Sequence, residues 1–149
     1  MRRSLFVSLG TSSDVGDFLE KAVAESLRNK GFSLKANRRG CDIVAEKDGK
    51  RVIIECKMNV RRSNWFQVLN QVRRYRDELK PEVTVLLVGN MRVFGPLWDA
   101  CSREGIRLLP CWSIYRDAFP FVKYDPSSGA LSSAEGPQQL TVRGGERAG

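Results

Sequence analysis

The chain of 149 residues contains no histidine. That absence removes Ser-His-Asp hydrolysis, Cys-His proteolysis, histidine-ligated zinc and histidine-based nuclease chemistry in their usual forms. Cysteine is scarce, four residues at 41, 56, 101 and 111 with no C-x-x-C spacing, which argues against a structural zinc. No apolar run approaches the roughly 18 residues that cross a bilayer, so no membrane partner is expected. The opening MRRSLFVSLG has an apolar part too short for a secretory signal and no clear cleavage site, and the sequence reads as cytoplasmic. Acidic residues are also in deficit, with 25 Lys and Arg against 17 Asp and Glu and a net charge of +8. The excess sits in residues 1–124, which hold 23 basic side chains against 14 acidic ones, while the last 25 residues hold two against three. A basic surface of this kind favours polyanions, chiefly nucleic acid.

What the chain does have is the stretch Cys41 to Lys57, CDIVAEKDGKRVIIECK. Two runs rich in Val and Ile flank Asp48-Gly49, the usual two-residue hairpin turn because both positions tolerate positive φ. With that turn, Lys47 faces Lys50, Val44 faces Ile53, Asp42 faces Glu55 and Cys41 faces Cys56. Side chains alternate along a strand, so Asp42, Val44, Ile53, Glu55 and Lys57 are expected on one face and Cys41, Ile43, Val52, Ile54 and Cys56 on the other. Two opposed carboxylates with Cβ atoms roughly 5 Å apart repel each other unless something cationic sits between them. A hard divalent cation meets that need, since Mg2+ takes a carboxylate or two and fills its other positions with water and phosphate. Lys57, aimed at the same volume, would hold a phosphate, orient a water or stabilise a developing negative charge. The plainer reading leaves Asp42 and Glu55 as solvated strand ends, with Lys57 neutralising Glu55. The pairs Arg38/Arg39 and Arg61/Arg62 bracket the cluster, a placement that suits phosphate contacts. Cys41 and Cys56 are expected as two packed thiols rather than a disulfide.

Before the hairpin, Val15, Phe18, Leu19, Ala22, Val23, Ser26 and Leu27 recur with a helical period up to Gly31, after the N-cap candidates Thr11 to Asp14. Glu20 and Glu25 fall on opposite margins of that apolar stripe, and either could lean into a site beside the sheet. Residues 32–36 read as a strand. After the hairpin, Trp65, Phe66, Val68, Leu69, Val72, Tyr75 and Leu79 mark a second helix, with Gln67 and Gln71 one turn apart along it. A buried strand over 82–88, a short helix over 94–104 and a last strand over 106–109 follow. The order helix, three strands, helix, strand, helix, strand predicts an α/β domain with a mixed sheet flanked by helices. Residues 1–124 are expected to form it, and 125–149, rich in Gly, Ser and Pro, to be a mobile tail.

Four short pieces stand in a telling order: Leu19-Glu20-Lys21 with Gly31-Phe32 closing the helix, Gly40-Cys41-Asp42, Glu55-Cys56-Lys57, and Gln71-Val72-Arg73-Arg74-Tyr75. Over residues 14–110 the chain thereby resembles the PD-(D/E)xK, or restriction-endonuclease-like, nuclease superfamily. The resemblance implies a restriction-endonuclease-like core in which Asp42 and Glu55 hold Mg2+ or Mn2+. Glu20 would complete the metal shell, Lys57 would position or activate the attacking water, and Gln71 would contact phosphate or the lysine. Spacing from Gly31-Phe32 favours Glu20 over Glu25 for that role. Tyr75 joins Arg38, Arg39, Arg61 and Arg62 as an expected nucleic-acid contact. The Gln-x-x-x-Tyr pattern is similar to helicase-associated exonucleases and mismatch-type archaeal endonucleases, whereas the small size is closer to archaeal Holliday-junction resolvases and methyl-directed restriction nucleases. The implied activity is that of a divalent-metal-dependent DNA endonuclease, structure-selective in DNA repair or restriction-like, with RNA left open as a substrate. A catalytically inactive nucleic-acid-binding module on the same fold is the alternative, and an α/β interaction domain with a basic surface a third reading. A homodimer would set two sites on two strands, with Trp98 and Trp112 as candidates for its interface.

Overall fold

Asp48 and Gly49 take positive φ, 54° and 78°, in the computed structural model, which describes residues 12–36, 40–90 and 95–133. Their turn joins β2 (Ile43–Lys47) to β3 (Lys50–Asn59) in the expected register, with Val44 opposite Ile53 and Lys47 opposite Lys50. A slip of one residue would turn every apolar side chain of β2 to the wrong face, so the turn fixes the whole pattern. β1 (Ser33–Lys35) pairs antiparallel with β2. α2 (Trp65–Leu79), following α1 (Ser12–Asn29) in the chain, carries the backbone over to β4 (Val83–Asn90), which runs parallel to β3. α3 (Gly95–Glu104) repeats the crossover to β5 (Ile106–Pro110), parallel to β4. The architecture is therefore mixed α/β, a five-stranded mixed sheet in the order β1-β2-β3-β4-β5 flanked by helices.

The sheet is covered on both faces, which is why β4 reads as an unbroken apolar run. On one face Leu19, Val23 and Leu27 of α1 pack over Ile43, Ala45, Val52, Ile54, Val85 and Leu87. On the other, Val68, Leu69 and Val72 of α2 and Leu97 and Ala100 of α3 pack against Leu86, Val88, Ile106 and Leu108. Truncating a residue as fully buried as Leu69 or Leu86 to Ala costs about 2–5 kcal/mol in such a layer. Glu104, ending α3, accepts hydrogen bonds from Arg73 and Arg76 and so ties α3 to α2. No helix among the described residues is long and apolar enough to cross a membrane.

Two sequence expectations need correcting. Cys41 does not share a face with Ile43: the regular ladder ends at Ile43 and Ile54, the chain bends at Asp42, and Cys41 packs with Val44, Ile53 and Tyr75. Alternation holds only as far as the ladder does. Cys56 belongs to the cluster beneath α1, so the two thiols lie in different layers, and no disulfide joins them. The domain boundary expected at 124 falls inside a hairpin, where β6 (Val122–Asp125) pairs antiparallel with β7 (Ala130–Ser133). Ile114, Phe119 and Val122 complete the apolar layer under α1. A 3-10 turn at Cys111–Tyr115 leads into this segment, which lacks the long periodic pattern that marks helices and strands in sequence. Residues 134–149 and the pair Arg38/Arg39 lie outside the described residues. Trp98 packs beside the α2–α3 layer and Trp112 is partly exposed, each meeting Tyr124 edge to face at 6.3 Å between ring centroids.

Candidate active site

Glu55 follows Val52, Ile53 and Ile54 on a strand whose hydrocarbon side chains drive it into the core, and it is carried in with them to 4% exposure. It sits one residue past the last backbone pair of the β2–β3 ladder. Beyond that point side chains take over from strand pairing. The Asp42 N–H donates to Glu55 Oε1 at 3.2 Å, and the Cys56 N–H donates to Asp42 Oδ2 at 2.8 Å. Each acid thus satisfies a backbone group that the neighbouring strand has left open, and both carboxyl groups are held by the same pair of bonds. From α1, Glu20 lies beside Asp42, the two lining one cavity. Lys57 Nζ stands 3.5 Å from Glu55 Oε2 and keeps about a third of its side chain in solvent, 31%.

Three acids therefore converge with one lysine. Burial, then the neighbouring Asp42 carboxyl group, pushes Glu20 up to about 7. Burial, followed by the charge of Asp42, also pushes Glu55 up to about 7, against the opposing pull of the Asp42 N–H and of Lys57. The donors are hard oxygens with an excess of negative charge, the chemistry that Mg2+ or Mn2+ requires. Among the described residues no group of three His, Cys, Asp or Glu side chains is placed to hold a metal ion. Mg2+ takes a carboxylate or two and leaves its other positions to water and phosphate, so the fit rests on the pair Asp42 and Glu55.

Asp42 is positioned from α2. Gly40 has φ 89°, a conformation that L side chains rarely adopt, and its carbonyl accepts the Tyr75 hydroxyl at 3.1 Å. Gln71 Nε2 donates to the same hydroxyl at 3.0 Å, and a Cβ on Gly40 would come within 3.3 Å of it. Gly40-x-Asp42 and Gln71-x-x-x-Tyr75 are thus two halves of one clasp. The expectation that Tyr75 contacts nucleic acid is corrected here, because at 2% exposure it presents no surface and its hydroxyl is used to hold the segment before Asp42.

Two cavities open beside the acids. Glu20 and Asp42 line one of about 200 Å³ together with Lys21 and Lys35. Lys57 and Gln71 line another of about 520 Å³ along α2, with Asn64, Gln67, Asn70 and Arg74. Glu25 lies elsewhere, in a hollow with Ser26, Lys30 and Ile114, which leaves Glu20 as the helix acid near Asp42. Arg61 and Arg62 are exposed in the turn between β3 and α2. Sequence reasoning missed the clasp and the roles of Asn64 and Asn70. Asn64 and Asn70 had a signal, since carboxamides at 64, 67, 70 and 71 recur at helical spacing.

Fold and site together define a mixed α/β protein with an acid–lysine cluster at the open end of a sheet hairpin. No family model matches the chain, and no curated protein does. Among solved structures the chain is similar to an XisH family protein from Nostoc punctiforme, at 17% identity and a TM-score of 0.47, with 76% of this chain and 95% of that chain covered.

Proposed function

We propose that the protein is a divalent-metal-dependent DNA endonuclease with a restriction-endonuclease-like core, hydrolysing phosphodiester bonds. The observation that carries this reading is the pair of bonds that hold two carboxyl groups side by side, Asp42 N–H to Glu55 and Cys56 N–H to Asp42, with Glu20 beside Asp42 and Lys57 against Glu55. Asp42, Glu55 and Glu20 would hold Mg2+ or Mn2+. When bound, such an ion supplies Lewis-acid activation of water and neutralises charge at the phosphate. Lys57 orients the attacking water through its ammonium protons and stabilises negative charge as it develops on the phosphate oxygens. Gln71 is held against Tyr75 and stands in the same cavity as Lys57, where its carboxamide steadies the phosphate. Arg61 and Arg62 give charge for the backbone of DNA, and the same contacts would serve RNA. A homodimer would bring two such sites to two strands.

The test is incubation with labelled linear, nicked and four-way-junction DNA in Mg2+, Mn2+ or EDTA. Metal-dependent cleavage that disappears in Asp42→Ala and Glu55→Ala is the expected result, and cleavage that survives both substitutions would remove this site from the chemistry. The second reading, an inactive nucleic-acid-binding module on the same fold, draws on the missing three-ligand cage among the described residues. Binding without cleavage under every metal condition would select it.

A further inference from the structure

The cavity along α2 has an unusual wall. Lys57 and Arg74 bring positive charge, but Asn64, Gln67, Asn70 and Gln71 are carboxamides, in a chain with 25 Lys and Arg available for gripping an anion. A phosphate oxygen only accepts hydrogen bonds, so the oxygen of a carboxamide is wasted on it. A base edge presents donors and acceptors together, and Asn or Gln meets adenine N6 and N7 with both atoms at once. Three of the four amides are engaged already. Asn70 Oδ1 accepts from Arg73 at 3.0 Å and Gln71 Nε2 donates to Tyr75 at 3.0 Å, while Asn64 is used at both ends, its Oδ1 accepting the Arg61 N–H at 2.7 Å and its Nδ2 donating to the Asn59 carbonyl at 3.4 Å. Gln67 is exposed and makes no hydrogen bond among the described residues, so both ends of its amide remain for a ligand.

We infer that Gln67, with Asn70 one turn along α2, reads base edges of the substrate strand beside the cutting site, with Gln67 as the principal reader and Arg74 as a phosphate contact. This rests on the nuclease reading and adds a base preference to it. Neutral contacts specify without releasing counterions, whereas each cation set on a phosphate steepens the dependence on salt. The two kinds of residue are therefore separable by experiment.

The experiment is fluorescence-anisotropy binding of the full chain to duplex and single-stranded DNA libraries with a randomised window, with Ca2+ replacing Mg2+ to prevent cleavage, across about 50–200 mM salt. Wild type is expected to favour adenine at one position by on the order of tenfold. Gln67→Ala should erase that preference with the salt slope unchanged. Gln67→Glu, which can only accept, should move the preference toward cytosine N4. Arg74→Ala should weaken all sequences alike and lower the salt slope by about one. A wild type that binds every sequence equally, a preference that survives Gln67→Ala, or tighter binding of RNA regardless of base would overturn the inference and leave the nuclease reading standing. Failure of the wild type to bind any nucleic acid would overturn both.

Discussion

At the turn of the β2–β3 hairpin, Glu46 is bridged by Arg51 at 3.0 Å and approached by Lys35 at 3.9 Å, while Lys47 Nζ donates to the Lys30 carbonyl at 2.6 Å. At the open end of the same hairpin, three carboxyl groups gather while Lys57 pairs with Glu55 alone, and two of the three are pushed up to about 7. Glu104 repeats the pattern of the turn, for the Arg73 guanidinium hydrogen-bonded to it, with Arg76 beside, holds it below the usual carboxylate range. Acids that fasten the fold are matched to cations. Acids set against one another cost stability, and perturbed carboxyl groups gathered beside a cavity mark a candidate functional site.

The most drastic way to break this contrast is to remove an acid from the open end. Asp42→Asn keeps an oxygen for the Cys56 N–H but should lower cleavage by on the order of a thousandfold or more. In EDTA at neutral pH the same variant should melt higher than wild type, by roughly 2–6 °C, because one of the crowded charges is gone. A variant that melts lower would show that the open end is structural after all. Lys57→Met should slow cleavage by on the order of a hundredfold while DNA binding in Ca2+ persists.

At the matched sites the sign reverses. Glu104→Ala should lower the melting temperature by roughly 4–8 °C, since two guanidinium groups lose their partner. Its folded pKa is depressed, so its contribution is present above the ordinary carboxylate range and fades as pH falls through the folded value. The gap between wild type and Glu104→Ala, followed by thermal melts, should therefore close in acid. Glu20 and Glu55 behave oppositely, with folded values near 7 against a usual 4.5. Their contribution is complete below about 4.5 and is lost as pH rises through about 7, so metal-free protein should lose stability across that interval. Mg2+ should flatten the loss, and a profile insensitive to Mg2+ would speak against a metal site. The smallest effect belongs to the turn, where Glu46→Gln should change stability by less than about 1 kcal/mol.

The hairpin was legible because Asp48-Gly49 leaves one turn geometry, and a register of period two then assigns every residue up to the ladder's end. Glu55 and Lys57 kept the expected face beyond that end because β3 stays paired with β4, opposite Leu86 and Val88. Cys41 did not, because one bend at Asp42 breaks the period and sequence carries no mark of it. The three helices followed from apolar spacing between breakers such as Gly31 and Pro81. The 3-10 turn and the β6–β7 hairpin went unseen, since Ile114, Phe119 and Val122 are core residues without a shared period. Tyr75 was found as part of a pattern but misassigned, because its partner Gly40 lies 35 positions away in the chain.

That hydroxyl has a wider consequence. α2 lines the cavity beside Lys57 with one flank and grips the Gly40 carbonyl from another. One helix thus both walls the cavity and, through the Tyr75 hydroxyl, pins the backbone two residues before Asp42.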